Sequence, residues 1–178
     1  MYAKEGADVL VNYHSNDAAA KDTVAEIEKL GRRGVAVAAD VANYKSAQDM
    51  VEECVKQLGG VDIVVNNAGV SKPSMLLKMK EEDWDAIIDI HLKAAFNTTQ
   101  AAGRHMKEQK SGKIINVIST AGIFGTIGQI NYASAKAGII GFTKSASREL
   151  GRYGINVNVI CPGITKTEMT GKLQTDEK

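Results

Sequence analysis

Cysteine, proline and aromatic residues are scarce in this chain of 178 residues, which has two Cys, two Pro and only 5% Phe, Trp and Tyr. Cys54 and Cys161 stand too far apart to make the disulfide framework of a small secreted scaffold. A reducing cytoplasm is therefore the expected compartment. The three histidines and two cysteines show no metal-ligand spacing, so no metal site is expected. A formal net charge of +1 gives no electrostatic reason to expect nucleic acid or a membrane surface as partner. Lys4, Glu5 and Asp8 interrupt the opening MYAKEGADVLVNY and leave no room for a signal-peptide core. No apolar run approaches the ~20 residues of a membrane-spanning helix.

What the chain does have is small and β-branched apolar residues, with 17 glycines and a hydrophobic fraction of 44%. That mixture fits helices packed closely on a sheet, and the length suits one domain with a real core. Five short Val/Ile-rich runs read as strands: 8–13 (DVLVNY), 35–41 (VAVAADV), 61–65 (VDIVV), 113–119 (KIINVIS) and 155–161 (INVNVIC). Their near-continuous apolar character predicts strands covered on both faces. Between the first two, Ala20, Val24, Ile27 and Leu30 recur at helical spacing, with Gly31 as the stop. Between the next two, Val51, Cys54, Val55 and Leu58 do the same, with Ser46 placed to cap the start. Longer helices are expected over 81–107 and 132–151. Strand and helix in alternation predict an α/β fold, a doubly wound parallel sheet in a single domain over 1–178.

In such a sheet the ligand crevice lies beyond the carboxyl ends of the strands. Those positions carry Asp40-Val41, then Asn66-Asn67-Ala68-Gly69, then Ser119-Thr120-Ala121-Gly122, then Cys161-Pro162-Gly163. Small residues there let a ligand approach the backbone. One further stretch, NYASAKAG (131–138), sets Tyr132 and Lys136 one helical turn apart among small side chains. A free phenol, with pKa ~10, holds its proton too firmly for efficient exchange at neutral pH. An adjacent ammonium favours the phenolate. The pair is either an exposed helix face or a proton-handling device. Met75 and Met79 either line an acyl pocket or pack under a loop, and Trp84 reads as a packing residue.

Taken together, Asp40-Val41, the NNAG run, Ser119, the Tyr132-x-x-x-Lys136 motif, Pro162-Gly163 and Thr167 resemble the short-chain dehydrogenases/reductases over essentially the whole chain. QINYASAKAGIIGFTKSASREL and GINVNVICPG are most similar to the 3-oxoacyl thioester reductases within that family. The resemblance implies Tyr132 as general acid/base, Lys136 making the phenol easier to deprotonate and holding the nicotinamide ribose, and Ser119 polarising the carbonyl. It also implies a Rossmann-like, NAD(P)-binding domain over 1–178, with cofactor contacts from Asp40, Val41, Asn67, Ala68, Gly69, Tyr132, Lys136, Pro162, Gly163, Thr165 and Thr167. The activity implied is NADP(H)-dependent reduction of a 3-oxoacyl group carried on acyl carrier protein or CoA. A dehydrogenase of hydroxyacyl-CoA or another secondary alcohol is the alternative, and a non-catalytic chain that only associates with other subunits is a third reading. A homo-oligomer is implied, a tetramer in the intact family. The segment Asn12-Tyr13-His14-Ser15 carries no acid for a ribose 2′-hydroxyl, which favours NADP(H) over NAD(H).

Two departures stand out. His91 occupies a position where the family carries Asn, and it would take over a water-linked proton relay to the catalytic lysine. The family's opening strand and TGxxxGxG pyrophosphate loop have no counterpart, since GIFGTIG (122–128) follows Ser119 instead. The expectation is therefore a reductase fragment, lacking elements at both ends. It would have a gap in the sheet between the strands at 8–13 and 61–65, would fold poorly and would bind cofactor weakly.

Overall fold

The computed structural model describes residues 1–163. It contains five strands, β1 (Val9–Tyr13), β2 (Gly34–Ala38), β3 (Ile63–Asn66), β4 (Gly112–Val117) and β5 (Ile155–Ile160). The helices are α1 (Asp17–Lys29), α2 (Tyr44–Leu58), α3 (Glu81–Ile88), α4 (Ala94–Gln109), α5 (Ala121–Phe124) and α6 (Ile130–Leu150). All strand pairs are parallel, with Val9 opposite Gly34, Ile63 opposite Lys113 and Gly112 opposite Ile155. The α/β architecture with parallel strands is as the alternation of patterns requires.

The strands do not form one sheet. β1 pairs with β2 alone, while β3, β4 and β5 form a second sheet with β4 in the middle. The gap expected between β1 and β3 is present, as a cleft of about 570 Å³ lined by residues of both strands. Coverage on both faces is not achieved. β1 is half-buried throughout, and Ile63 and Val65 of β3 are 43% and 39% exposed. Apolar strand composition records what a strand can bury, not whether a neighbour is there to cover it.

The dry core lies on the second sheet. Val51 of α2, Ala101, Ala102 and Met106 of α4, Val61, Ile114 of β4, and Ile155 and Val157 of β5 form one buried cluster. Met106 is held in place by Gly112, where a Cβ would stand 2.4 Å from its sulfur. Under the strand ends runs a buried polar network. Asn66 donates to Asn116 Oδ1 at 2.8 Å and accepts from Thr98 Oγ1 at 2.6 Å, and Asn116 donates to Thr143 Oγ1 at 2.8 Å. It fixes β3, β4, α4 and α6 to one another.

Local signals shift in detail. Asn43, not Ser46, caps α2: its side chain accepts from Ser46 N–H, while Ser46 Oγ accepts from Asp40 N–H. α1 closes at Leu30, and Gly31 follows at φ +72 as the left-handed stop. The helix expected over 81–107 is interrupted by a π-helical turn at Asp89–Lys93. Such turns widen a helix locally and are frequent at functional sites; this one carries His91, 5% exposed, into the interior.

Candidate active site

Tyr132 lies in the first turn of α6, and the residue before it anchors that turn. Asn131 is fully buried; its Nδ2 donates to the carbonyls of Lys72 (3.1 Å) and Asp83 (3.2 Å) while its Oδ1 accepts from Tyr132 N–H (2.8 Å). One turn on, Lys136 is only 4% exposed and donates through Nζ to Val117 O of β4 at 2.7 Å. The ammonium stands 5.5 Å from the Tyr132 ring centroid. Burial favours its neutral form and lowers its pKa to about 8, so it still carries its proton at neutral pH. The exposed-face reading of this pair is thereby removed for Lys136.

His91 completes the group. Its ring meets Tyr132 edge-on, with centroids 5.1 Å apart and planes at 86°. Nε2 lies 2.9 Å from Val70 O. A carbonyl only accepts, so the proton sits on Nε2 and Nδ1 is a bare acceptor. Nδ1 is buried and has no partner among the described residues. Burial, reinforced by the nearby Lys136 charge, lowers the His91 pKa to about 4 and keeps the ring neutral at physiological pH. Gly69 makes room for it, because a Cβ there would fall 2.0 Å from Cε1 of the ring. This is what the last residue of the NNAG run does structurally.

A cavity of about 270 Å³ is lined by Val41, Asn67, Ala68, His91 and Lys136, while Tyr132, Ser119 and Gly69 do not line it. Asp40 is exposed and does not line the cavity; its Oδ1 accepts from Ala42 N–H at 3.0 Å, closing the turn that presents Val41. Asn97, 1% exposed on α4, holds the same turn by donating to Val41 O (2.9 Å) and Ala42 O (3.2 Å). Ser119 follows β4, half-buried, with its Oγ accepting from Ala121 N–H at 3.3 Å. The short α5 after it packs on α6 so closely that a Cβ on Gly122 would lie 2.7 Å from Lys136 Cβ. Pro162 and Gly163 follow β5 and are exposed; Thr165 and Thr167 lie outside the described residues.

Three residues matter more than their sequence context suggests. Asn131 and Asn97 look like ordinary polar positions on helices, and only their burial discloses that they fix the Tyr132 turn and the Val41 turn. Asp17 is the third. The end of β1 has no acid of its own, but Asp17 in the first turn of α1 comes back to accept from Tyr13 OH at 2.9 Å. Lys21, 2.6 Å from the same carboxylate, neutralises it.

A fold of parallel strands with a Tyr–Lys pair and small-residue loops at the strand ends defines a dinucleotide-dependent oxidoreductase class. The short chain dehydrogenase family model matches residues 1–178, and the chain belongs to that family. It is 44% identical over 176 residues to 3-oxoacyl-[acyl-carrier-protein] reductase of Staphylococcus epidermidis, covering 99% of this chain and 72% of that one. The Synechocystis enzyme of the same name is 43% identical over 174 residues, covering 98% and 70%. A Sinorhizobium meliloti structure assigned to the short-chain alcohol dehydrogenases matches with TM-score 0.93 and 36% identity, over 98% of this chain and 69% of that one. A short chain dehydrogenase from Mycobacterium avium matches with TM-score 0.86 and 38% identity, over 91% and 62%. Among the described residues no helix is long and apolar enough to cross a membrane.

Proposed function

We propose that the site reduces a 3-oxoacyl thioester, carried on acyl carrier protein or CoA, to the 3-hydroxyacyl form in the cytoplasm, with NADP(H) as cofactor. The observation that carries this reading is the buried Lys136 ammonium 5.5 Å from the Tyr132 ring, with neutral His91 packed edge-on behind it. The lining of Val41, Asn67, Ala68, His91 and Lys136 fits the ribose and nicotinamide end of the cofactor, and the buried His91 Nδ1 is an acceptor with no partner among the described residues. A bound nicotinamide cofactor supplies the hydride. The described residues supply no glycine-rich loop for its pyrophosphate, so the reading concerns the reacting end. NAD(H) is the other cofactor that end would take. The Asp17 carboxylate near β1 is already occupied by Tyr13 and Lys21, in keeping with the preference for NADP(H).

Tyr132 gives its proton to the carbonyl oxygen as that oxygen gains charge. The Lys136 ammonium, itself buried, stabilises the resulting phenolate more strongly than an exposed charge would. Ser119 donates a hydrogen bond to the same oxygen. His91, neutral and with its Nε2 proton held by Val70 O, leaves Nδ1 as a hydrogen-bond acceptor beside Lys136 and Tyr132.

The substrate class rests on a second feature. Ser74 N–H donates to Gly128 O at 2.8 Å, tying the 74–79 loop to the segment just before α6. Met75, Leu76 and Leu77 on one side and Phe124 and Ile127 on the other are 57–97% exposed, so Met75 does not pack under a loop. These side chains flank the Tyr132 end of α6 and suit an acyl chain. The test is NADPH oxidation with acetoacetyl-CoA, beside hydroxyacyl-CoA oxidation and a simple ketone. Thioester-dependent turnover that falls about 10²–10⁴-fold in Tyr132→Phe is expected. Equal rates in that variant, or a preference for the simple ketone, would overturn the assignment.

A further inference from the structure

One buried side chain joins the acyl side of the site to the proton donor. Both N–H donors of the Asn131 amide are engaged, on Lys72 O and Asp83 O, and its oxygen accepts from Tyr132 N–H. The two carbonyls are the ends of one loop. Residues 72–83 leave and return at this point, where the Lys72 ammonium also meets Asp83 Oδ1 at 2.7 Å. Between those ends stand the exposed Met75, Leu76 and Leu77. The same loop is strapped to the chain entering α6 by the Ser74–Gly128 hydrogen bond and a parallel bridge between Ser74 and Gln129. It is therefore attached twice to the short run 128–131 that leads into Tyr132. The first N–H groups of a helix have no intrahelical partner. At α6 the cap residue Gln129 makes no side-chain bond, and Asn131 supplies an acceptor from inside the first turn. A planar amide, fully enclosed and engaged on three sides, has one orientation, so a displacement of the loop displaces the Tyr132 turn with it.

We propose that Asn131 is a positioning residue that makes the placement of Tyr132 depend on the acyl group. An alkyl chain resting on Met75, Leu76 and Leu77 holds the 72–83 loop against α6, and through Asn131 it holds the phenol in its reactive place. Contacts remote from the reacting carbonyl then raise the rate of the chemical step and not affinity alone. The inference deepens the acyl-thioester reading and rests on it.

The test compares single-turnover NADPH oxidation at saturating acetoacetyl-CoA and 3-oxooctanoyl-CoA. In the wild-type chain the longer substrate is expected to react at least about fivefold faster. In Asn131→Ala that gain disappears, and likewise in Asn131→Asp, which keeps the shape but cannot donate to both carbonyls. The longer chain still shows the lower KM in both variants, because the apolar loop residues are intact. A merely structural asparagine would lower both rates together and leave their ratio as it was. An unchanged ratio in the variants, or equal wild-type rates for the two substrates, overturns the proposal. Tyr132→Phe separates the two levels. A wild-type rate in that variant sinks the proton-donor reading and the proposal with it, whereas its collapse, with the chain-length gain intact in the Asn131 variants, sinks the coupling alone. Hydrogen exchange in the wild-type chain judges the coupling without turnover, and decides it if the variants do not fold. Octanoyl-CoA, which has no ketone to reduce, is expected to slow exchange at the amides of both Ser74 and Tyr132 at least about tenfold. Protection of Ser74 alone, or of neither, overturns the proposal.

Discussion

The two sheets of this molecule have similar strands and very different surroundings. β4 sits between two partners, with α4 and α6 packed on the β3–β4–β5 sheet; Ile114 and Met106 there are fully buried. No residue of β1 or β2 is buried to that degree, and their sheet is tied to the rest through α2, through Asn97 on the Val41 turn, and through Arg33. The side chains of the proposed proton chemistry, Ser119, Tyr132, Lys136 and His91, all belong to the better-packed half. The β1–β2 half contributes Leu10, Asn12 and Val41 to the lining of the cavity. Chemistry that depends on sub-ångström placement is thus built on the rigid sheet, and the half that meets the far end of a ligand is the loosely tied one.

The contrast is broken most severely in the core. Ile114→Ala removes a fully buried side chain and is expected to cost about 2–5 kcal/mol in denaturant unfolding, whereas Val11→Ala in half-buried β1 should cost roughly 1 kcal/mol. Comparable losses in both would abolish the distinction. Acid comes next. Because His91 has a folded-state pKa of about 4 against 6.5, the unfolded chain binds more protons between those values. Stability is therefore complete above about pH 6.5 and falls as pH drops toward 4, by on the order of 3 kcal/mol, and His91→Asn should remove that dependence. Asn116→Ala leaves Asn66 and Thr143 without their buried partner, with an expected cost of about 1–3 kcal/mol. The smallest effect belongs to the peripheral clamp. Exposed Arg33, which bridges Asp8 and the last carbonyls of α2, should lose under about 1 kcal/mol on change to Ala.

Strand composition made the fold class legible, and the gap was located by the strand order that the family resemblance implies. The degree of strand burial was not legible: Ile63 and Val65 read as interior positions, yet they line the open cleft beside β3 and stay partly exposed. The Tyr132–Lys136 spacing was readable from helical geometry. That Lys136 is buried was not, since a lysine's environment is set by α5 and β4, distant in sequence. His91 was noticed as a departure, but the π-helical turn that carries it inward has no simple signature in IIDIHLKAAF. Gly69 illustrates the same limit: its neighbour is an imidazole 22 residues further along the chain. Asn131 and Asn97 were missed as anchors because a buried asparagine and a surface one look alike in one dimension.

The division between the sheets is tested most directly by hydrogen exchange under native conditions, comparing backbone amides of β4 with those of β1. Amides at Ile114 and Ile115 should exchange at least about a hundredfold more slowly than those at Val9 and Val11, reflecting a separate, lower-energy opening of the β1–β2 sheet. Equal protection in the two strands would mean that the halves open together as one cooperative unit, and would contradict the account.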